Sequence, residues 1–377
     1  MTIGIPSEST ENESRIAMSP SVTKLLTSKG FDVLVEKDAG LRSHFLDADF
    51  TASGAKIVSK KEIFEANVIA KINPPNQKEV KLIKKGSILI SQMFALTNPE
   101  LVKGCVSQGI SAFSLDAIPR TSLAQSMDVL SSQANLAGYK SVLLGGSHMG
   151  KIFPMLMTSA GTIKPSTVVI FGAGVAGLQA IATAKRLGAN VWVSDIRPET
   201  KEQVESLGGK FIEVQADDSI QTEGGYVKDV SDDFLKKQQE IVAEKLAMAD
   251  LVITTALIPG KKAPLLISEE MLSNMKQGTV VVDMAVAQGG NCAGSEVNKI
   301  VIKNGIKIIG ESNLPGTMPI NASELFAKNV HNFIVHLTSE GKFDFNMEDE
   351  ITAGSLIVKD GKVVNDQLSK TTPTQSN

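Results

Sequence analysis

Apolar residues in the first third of the chain fall in short runs separated by polar and helical segments. Thr2–Ile5, Asp32–Glu36, Asn67–Ile72, Ser87–Met93 and Ser111–Asp116 read as strands, with Pro20–Gly30 and Pro99–Gln108 as helices between them. Strands alternating with helices predict a parallel, wound sheet. Past a loop at Pro119-Arg120-Thr121-Ser122 the pattern changes to one long helical stretch, from about Gln125 to Met149. A helix of that length can bridge two domains. A second wound unit follows: strand Thr167–Phe171, helix Val175–Leu187, strand Asn190–Asp195, helix Pro198–Leu207, then strands Leu251–Thr255 and Thr279–Asp283. Gln215–Asp233 is polar, poor in apolar anchors and contains Gly224-Gly225-Tyr226, and reads as a long mobile loop. Ser323–Leu337 reads as a helix, a hairpin is expected around Asp360-Gly361, and Lys370–Asn377 reads as disordered. The prediction is an α/β protein of two wound parallel-sheet, Rossmann-like domains joined by a long helix, with a cleft between them. Residues 1–130 with 310–377 make the first domain and 131–309 the second.

Composition narrows the classes of function. The chain has 377 residues and a formal net charge of -3, with no basic stripe or arm, which argues against nucleic acid as a partner. Its two cysteines, Cys105 and Cys292, are far apart and not at metal-ligand spacing, so neither a disulfide framework nor a zinc site is expected, and a reducing cytosol is. Met1-Thr2-Ile3-Gly4-Ile5-Pro6 lacks the marks of a signal peptide. No apolar run reaches the roughly 20 residues of a membrane helix. The nearest, Val129 to Met157, is interrupted by Gln133, Lys140, His148 and Lys151. A soluble chain is expected, so any membrane role would need a partner.

The sharpest motif is Gly172-Ala173-Gly174-Val175-Ala176-Gly177, which follows strand Val168-Val169-Ile170-Phe171 and opens a helix. In such a turn the first glycine permits the tight bend, the second lets backbone approach a pyrophosphate, and the third allows close helix–strand packing. The helix N-terminus adds unpaired N–H groups and a positive dipole end for the anion. The next strand ends in Asp195, where a carboxylate accepts hydrogen bonds from both ribose hydroxyls and repels a 2′-phosphate. That favours NAD over NADP, although Arg197, two residues on, could receive a phosphate instead.

A dehydrogenase acting on an alcohol or amine moves a proton as well as a hydride, and needs an acid or base in its cleft. The four histidines, His44, His148, His331 and His336, do not lie beside strand ends of the second domain. A polar cluster opens the long helical stretch: Arg120, Gln125, Asp128, Ser131 and Ser132. Residues 125, 128 and 132 are spaced to share one helical face. The same spacing fits a solvated helix face, and the two readings stay open on spacing alone.

The chain resembles the NAD(H)-binding component, domain I, of proton-translocating NAD(P) transhydrogenases, whose cousin is alanine dehydrogenase. The resemblance rests on Ile3-Gly4-Ile5-Pro6 with Glu13-Ser14-Arg15, on Pro119-Arg120 with Gln125 and Met127–Ser132, and on the Gly172–Gly177 turn. It continues through Thr200–Phe211, Gly224-Gly225-Tyr226, Ile253–Gly260 and Gln288-Gly289-Gly290-Asn291-Cys292. It implies NADH bound here, with its hydride passed to NADP+ on a separate component in a Si-specific/Re-specific transfer between nucleotides. The transfer is coupled to proton movement through membrane-spanning subunits. A homodimer, peripheral on the cytosolic face of the membrane, is implied too. By resemblance, Gln125 reaches the nicotinamide ribose and approaches the second nucleotide, while Arg120, Asp128, Ser131 and Ser132 orient the nicotinamide end. Tyr226 rides on a loop that closes over nucleotide, with Gly225 and Gln238 nearby, and Val175, Asp195, Arg197 and Leu257 line the adenosine half. Leu257 fits a core position equally well. In alanine dehydrogenases an Arg and a Lys hold the substrate carboxylate, and a His and an Asp serve catalysis. Arg15 and Lys71 match the first pair, whereas Met93-Phe94 and Ala287 stand where the second pair belongs. Hydride transfer between nucleotides moves no proton at the reacting carbons, so that loss is compatible with it. The alternatives are an NAD-dependent amino-acid dehydrogenase of the alanine type and a non-catalytic NAD-binding module.

Overall fold

Two parallel sheets carry the chain. The structure, a computed structural model, describes residues 1–213, 222–223, 226–227, 232–258, 260–339, 342–343 and 345–365, and of 222–223, 226–227 and 232–239 the backbone alone. Most of the polar segment Gln215–Asp233 and the tail Lys370–Asn377 therefore lie outside the described residues. The chain divides into two compact units, Met1–Gln133 with Pro315–Asn377, and Ala134–Leu314.

In the first unit, Lys56–Val58, Asp32–Glu36, Thr2–Ile5, Val68–Ala70, Ile88–Ser91 and Ser111–Ser114 lie side by side in that order, all parallel. Two strands from the end of the chain, Leu356–Lys359 and Lys362–Val363, extend the sheet antiparallel beyond Ser111–Ser114. They turn at Asp360 and Gly361, both at positive φ (47° and 76°), as a tight hairpin with matching twist requires. Successive residues face opposite sides, and both sides are apolar. Val68, Ala70, Ile88 and Ile90 join one core cluster, while Ile69 and Leu89 join the other. The first cluster is closed by Phe326, Val330 and Phe333 of helix Pro319–His336. Phe333 meets Phe113 edge to face at 5.5 Å. That burial is why the chain returns to its first sheet after the second unit is complete.

The second unit has the order Lys210–Phe211, Asn190–Ser194, Thr167–Phe171, Leu251–Thr254, Val280–Asp283, Ile306–Ile309, Ile300–Lys303, and all but the last strand run parallel. The final pair is a hairpin that the sequence pattern does not announce. Its turn, Asn304-Gly305, has φ of 50° and 75°, again the geometry such a pair of residues favours. A further short hairpin, Leu156–Thr158 with Gly161–Ile163, is exposed at every strand position and is likewise absent from the sequence-based expectation.

The long helix spans Val129–His148 rather than starting at Gln125. Asp128 stops it there. Its carboxylate accepts from the Ser131 backbone N–H at 2.9 Å and from Ser131 Oγ at 2.6 Å, which makes it the helix N-cap. Gln125 sits in a separate turn of 3-10 helix, Gln125–Met127. The expected single face carrying residues 125, 128 and 132 therefore does not exist, because a capping side chain adopts non-helical backbone. Among the described residues, no helix is long and apolar enough to cross a membrane.

Candidate nucleotide-binding site

In the second unit the strand order reverses direction between Thr167–Phe171 and its two neighbours, at the kind of switch point where open α/β sheets take ligands. The glycine turn stands at the carboxyl end of that strand. Gly172 has φ of 94°, and a Cβ there would lie 2.4 Å from Thr255 Oγ1. A Cβ on Gly177 would lie 1.8 Å from the Gly172 carbonyl oxygen, so only glycine lets helix Val175–Arg186 start this close to the strand. Gly174 differs: a Cβ built there meets nothing within 4 Å. The turn is therefore open at its middle glycine and closed at the other two. No side chain caps the helix beginning there, and its N-terminal N–H groups face an anion-sized approach. The long helix supports the turn from behind, since a Cβ on Gly138 would stand 2.1 Å from the Ala176 carbonyl oxygen.

Asp195 follows strand Asn190–Ser194, and its side chain is 4% exposed. It accepts from the Ala173 N–H at 2.6 Å, tying the ribose-side strand to the glycine turn. It also accepts from the Arg197 N–H at 2.8 Å and from Arg197 Nε and Nη2 at 2.9 and 2.8 Å. Across the switch point, Thr255 donates to the Phe171 carbonyl at 2.9 Å. The loop after it is pinned by a residue to which sequence reasoning gives no role. Asn291 donates to the Ala256 and Pro264 carbonyls and accepts from the Ala256 N–H. Asn291 is in turn placed by the buried Asp283, which accepts the N–H groups of Asn291, Cys292 and Ala285. Val175 and Leu257, on this rim, are 41% and 37% exposed. The core position that fits the Leu257 sequence equally well is not the one it occupies. Gly225 lies outside the described residues, and so do the side chains of Tyr226 and Gln238.

In the first unit, Arg120 and Gln125 are exposed, and Asp128, Ser131 and Ser132 are half-buried. Two asparagines on helix Pro319–His336 hold this segment. Asn329 donates to the Ser126 carbonyl at 2.8 Å and accepts from Ser132 Oγ at 2.7 Å, and Asn332 donates to the same carbonyl at 3.1 Å. They lie some 200 residues downstream in the chain, with separations of 197, 203 and 206. Local patterning carries no signal for them.

The first unit has its own switch point, between Thr2–Ile5 and Val68–Ala70, and charged side chains fill it. Glu8 accepts from the Ile72 N–H at 2.7 Å, and Lys71, fully buried, lies 3.6 Å from Glu8 and 3.5 Å from Glu79. Burial pushes the Glu8 carboxyl above its usual range, against the nearby Lys71 charge. Arg15 donates to Glu13 through Nε and Nη2 at 2.7 and 2.6 Å, and to Gln133 Oε1 at 2.8 Å. Burial works to raise Glu13 too, but its bonds from Arg15 and Asn73 outweigh this and hold it below the usual range. Arg15 and Lys71, the cations matching a substrate-carboxylate pair, are thus partnered inside the protein. Where that pattern requires catalytic groups, Phe94 is exposed with φ of 48° and Ala287 is exposed in the turn Val286–Gln288. His336 pairs with Asp349 at 2.8 Å, far along the chain from both. No group of three or more His, Cys, Asp or Glu among the described residues could hold a metal.

Family models for "Alanine dehydrogenase/PNT" match almost the whole chain, the N-terminal domain over residues 4–137 and the C-terminal domain over 141–366. The chain belongs to that family. It is 48% identical to the first of the polypeptides that make up the NAD(P) transhydrogenase alpha subunit of Rhodospirillum rubrum, over 98% of this chain and 99% of that protein. The transhydrogenase structure from Sinorhizobium meliloti superposes with a TM-score of 0.89 at 42% identity, over 97% of this chain and all of the other. An L-alanine dehydrogenase superposes over the whole of both chains with a TM-score of 0.84, but at 25% identity.

Proposed function

We propose that this chain is the NAD(H)-binding component of a proton-translocating NAD(P) transhydrogenase. The observation that carries the reading is a glycine turn open only at Gly174, beside Asp195, in a chain that lacks the acid and base of its dehydrogenase cousins. Its similarity to transhydrogenase alpha subunits over almost the full length supports the same reading.

The pyrophosphate of NAD(H) fits against Gly174 and the start of helix Val175–Arg186. The adenosine ribose fits at Asp195, with Val175, Leu257 and Arg197 beside the adenosine half and Gly225 and Gln238 contributing from the neighbouring segment. Arg120, Gln125, Asp128, Ser131 and Ser132 orient the nicotinamide end, and Tyr226 covers it. Bound NADH supplies the hydride, and NADP+ on a partner component receives it. No proton is exchanged at either reacting carbon, so the protein's contribution is positioning and exclusion of water. In this reading Phe94 and Ala287 cost the reaction nothing. Membrane-spanning subunits couple the transfer to proton movement, the chain docks on the cytosolic face, and it works as a homodimer.

The test is to mix the purified chain with a purified NADP(H)-binding component and follow hydride transfer from NADH to an NADP+ analogue. Trp192, the single tryptophan, stands three residues before Asp195 and supplies the binding signal: its emission should fall as NADH saturates the site. Rapid transfer in the mixture, absent from either component alone, is the expected result. Pyruvate- and ammonia-dependent NADH oxidation by the chain alone would replace this reading with an amino-acid dehydrogenase. Tight NADH binding with no transfer in the mixture would leave a non-catalytic module.

A further inference from the structure

The ribose carboxylate is already fully engaged. Oδ1 of Asp195 takes the Arg197 N–H and Nε, and Oδ2 takes the Ala173 N–H and Arg197 Nη2. Two carboxylate oxygens offer about four lone-pair sites, and four donors fill them. Two donors are backbone groups fixed by the turns on either side. The other two belong to one rotatable guanidinium that is 19% exposed.

We infer that Arg197 is a latent 2′-phosphate reader, held in check by Asp195, and that the pair sets which nucleotide this site accepts. The inference rests on the ribose reading of Asp195 given above. A ribose diol brings two hydroxyl donors, so it can take over the two bonds the guanidinium makes while the backbone bonds stay. A 2′-phosphate brings no donor to replace them, and places its negative charge beside a buried carboxylate. Discrimination against NADPH then comes from Asp195 in two ways: it repels the phosphate, and it holds the one cation that could receive it. An arginine beside the ribose is the usual device for accepting a 2′-phosphate. A bidentate guanidinium suits that anion better than an ammonium. Removing the carboxylate would release the guanidinium, and with it the Ala173 N–H, as donors facing the same point.

The test is a double-substitution cycle read by equilibrium binding of NADH and NADPH at low and high salt. Asp195→Ser should weaken NADH and strengthen NADPH, each by about tenfold, the range of one or two charge-assisted hydrogen bonds. Arg197→Gln alone should leave NADPH excluded, because the carboxylate remains. The double variant should lose the NADPH gain, and with it the steeper salt dependence of NADPH binding seen in Asp195→Ser. Asp195→Asn, isosteric with the native side chain, runs the same cycle should the serine variant not fold. A double variant that keeps the NADPH gain overturns the role of Arg197 and leaves the ribose reading standing. So does Asp195→Ser weakening NADH with no NADPH gain. NADH binding unchanged in both Asp195 variants removes the ribose reading itself, and the inference falls with it.

Discussion

Single residues decide the phosphate site by the space around their Cβ positions. Gly174 has open surroundings and an ordinary φ of -78°. Gly174→Ala should therefore fold with stability within about 0.5 kcal/mol of the native chain yet bind NADH far more weakly, because the methyl group occupies the pyrophosphate's approach. Gly177→Ala should do the reverse first. Its Cβ would meet a backbone oxygen at 1.8 Å, and neither strand nor helix can yield without moving the other. We expect a loss of about 1–3 kcal/mol, read by urea unfolding, before binding is even considered. Equal stabilities for the two variants would contradict this division. Asn329 acts at the same scale but through other residues. Asn329→Ala removes its bonds to Ser126 and Ser132. It should slow single-turnover hydride transfer in the reconstituted mixture by about tenfold, the cost of lost positioning, while the NADH dissociation constant stays put. A matching loss of NADH affinity would make Asn329 a structural residue only.

At the scale of elements, a few polar groups determine where strands and helices begin. Asp128 begins the long helix. Asp250 anchors the start of the strand that leads into the glycine turn, accepting from the Thr167 N–H at 2.8 Å and from Lys151 and Lys276 at 2.9 and 2.7 Å. Burial works to raise its pKa, but these bonds prevail and hold it below the usual carboxylate range. A carboxylate depressed in the folded state stabilises fully above its unfolded pKa, near 4, and loses that contribution as pH falls toward the folded value. Asp250→Asn should thus cost about 1–3 kcal/mol near pH 7. The difference from the native chain should shrink steadily between about pH 4 and pH 2. A difference that is constant with pH would mean that the charge of Asp250 is not what matters. Much at this scale is legible in the sequence. The parallel strands read as uniform apolar runs because both faces of each sheet are buried. Lys56–Val58 and the strands Ile300–Lys303 and Ile306–Ile309 do not stand out in that way. They lie at or next to sheet edges, where exposure permits mixed composition and the apolar signal fades.

For the molecule as a whole, the exposed hairpin Leu156–Thr158 with Gly161–Ile163 bears on assembly. Two strands on their own are marginal in water, and this pair shows Met157 at 79% and Leu156 and Ile163 above 40% exposure. Neighbouring exposed apolar side chains of this size mark contact surfaces. If the chain is a homodimer as proposed, Met157→Asp should shift it toward monomer in sedimentation equilibrium while leaving its circular dichroism unchanged. A dimer undisturbed by that substitution moves the interface elsewhere.

The sequence alone determined that two wound sheets would form, that one carries a phosphate turn, and that a carboxylate follows it. These follow from periodicity and from residues close together in the chain, where geometry is nearly local. Tertiary structure decided what those groups meet. It put Arg197 on Asp195, withdrew Arg15 and Lys71 into internal pairs, ended the long helix at Asp128, and brought Asn329 and Asn332 to a segment two hundred residues earlier. A carboxylate's partners depend on which backbone turns and helices converge on it in space, and spacing along the chain carries no record of that convergence.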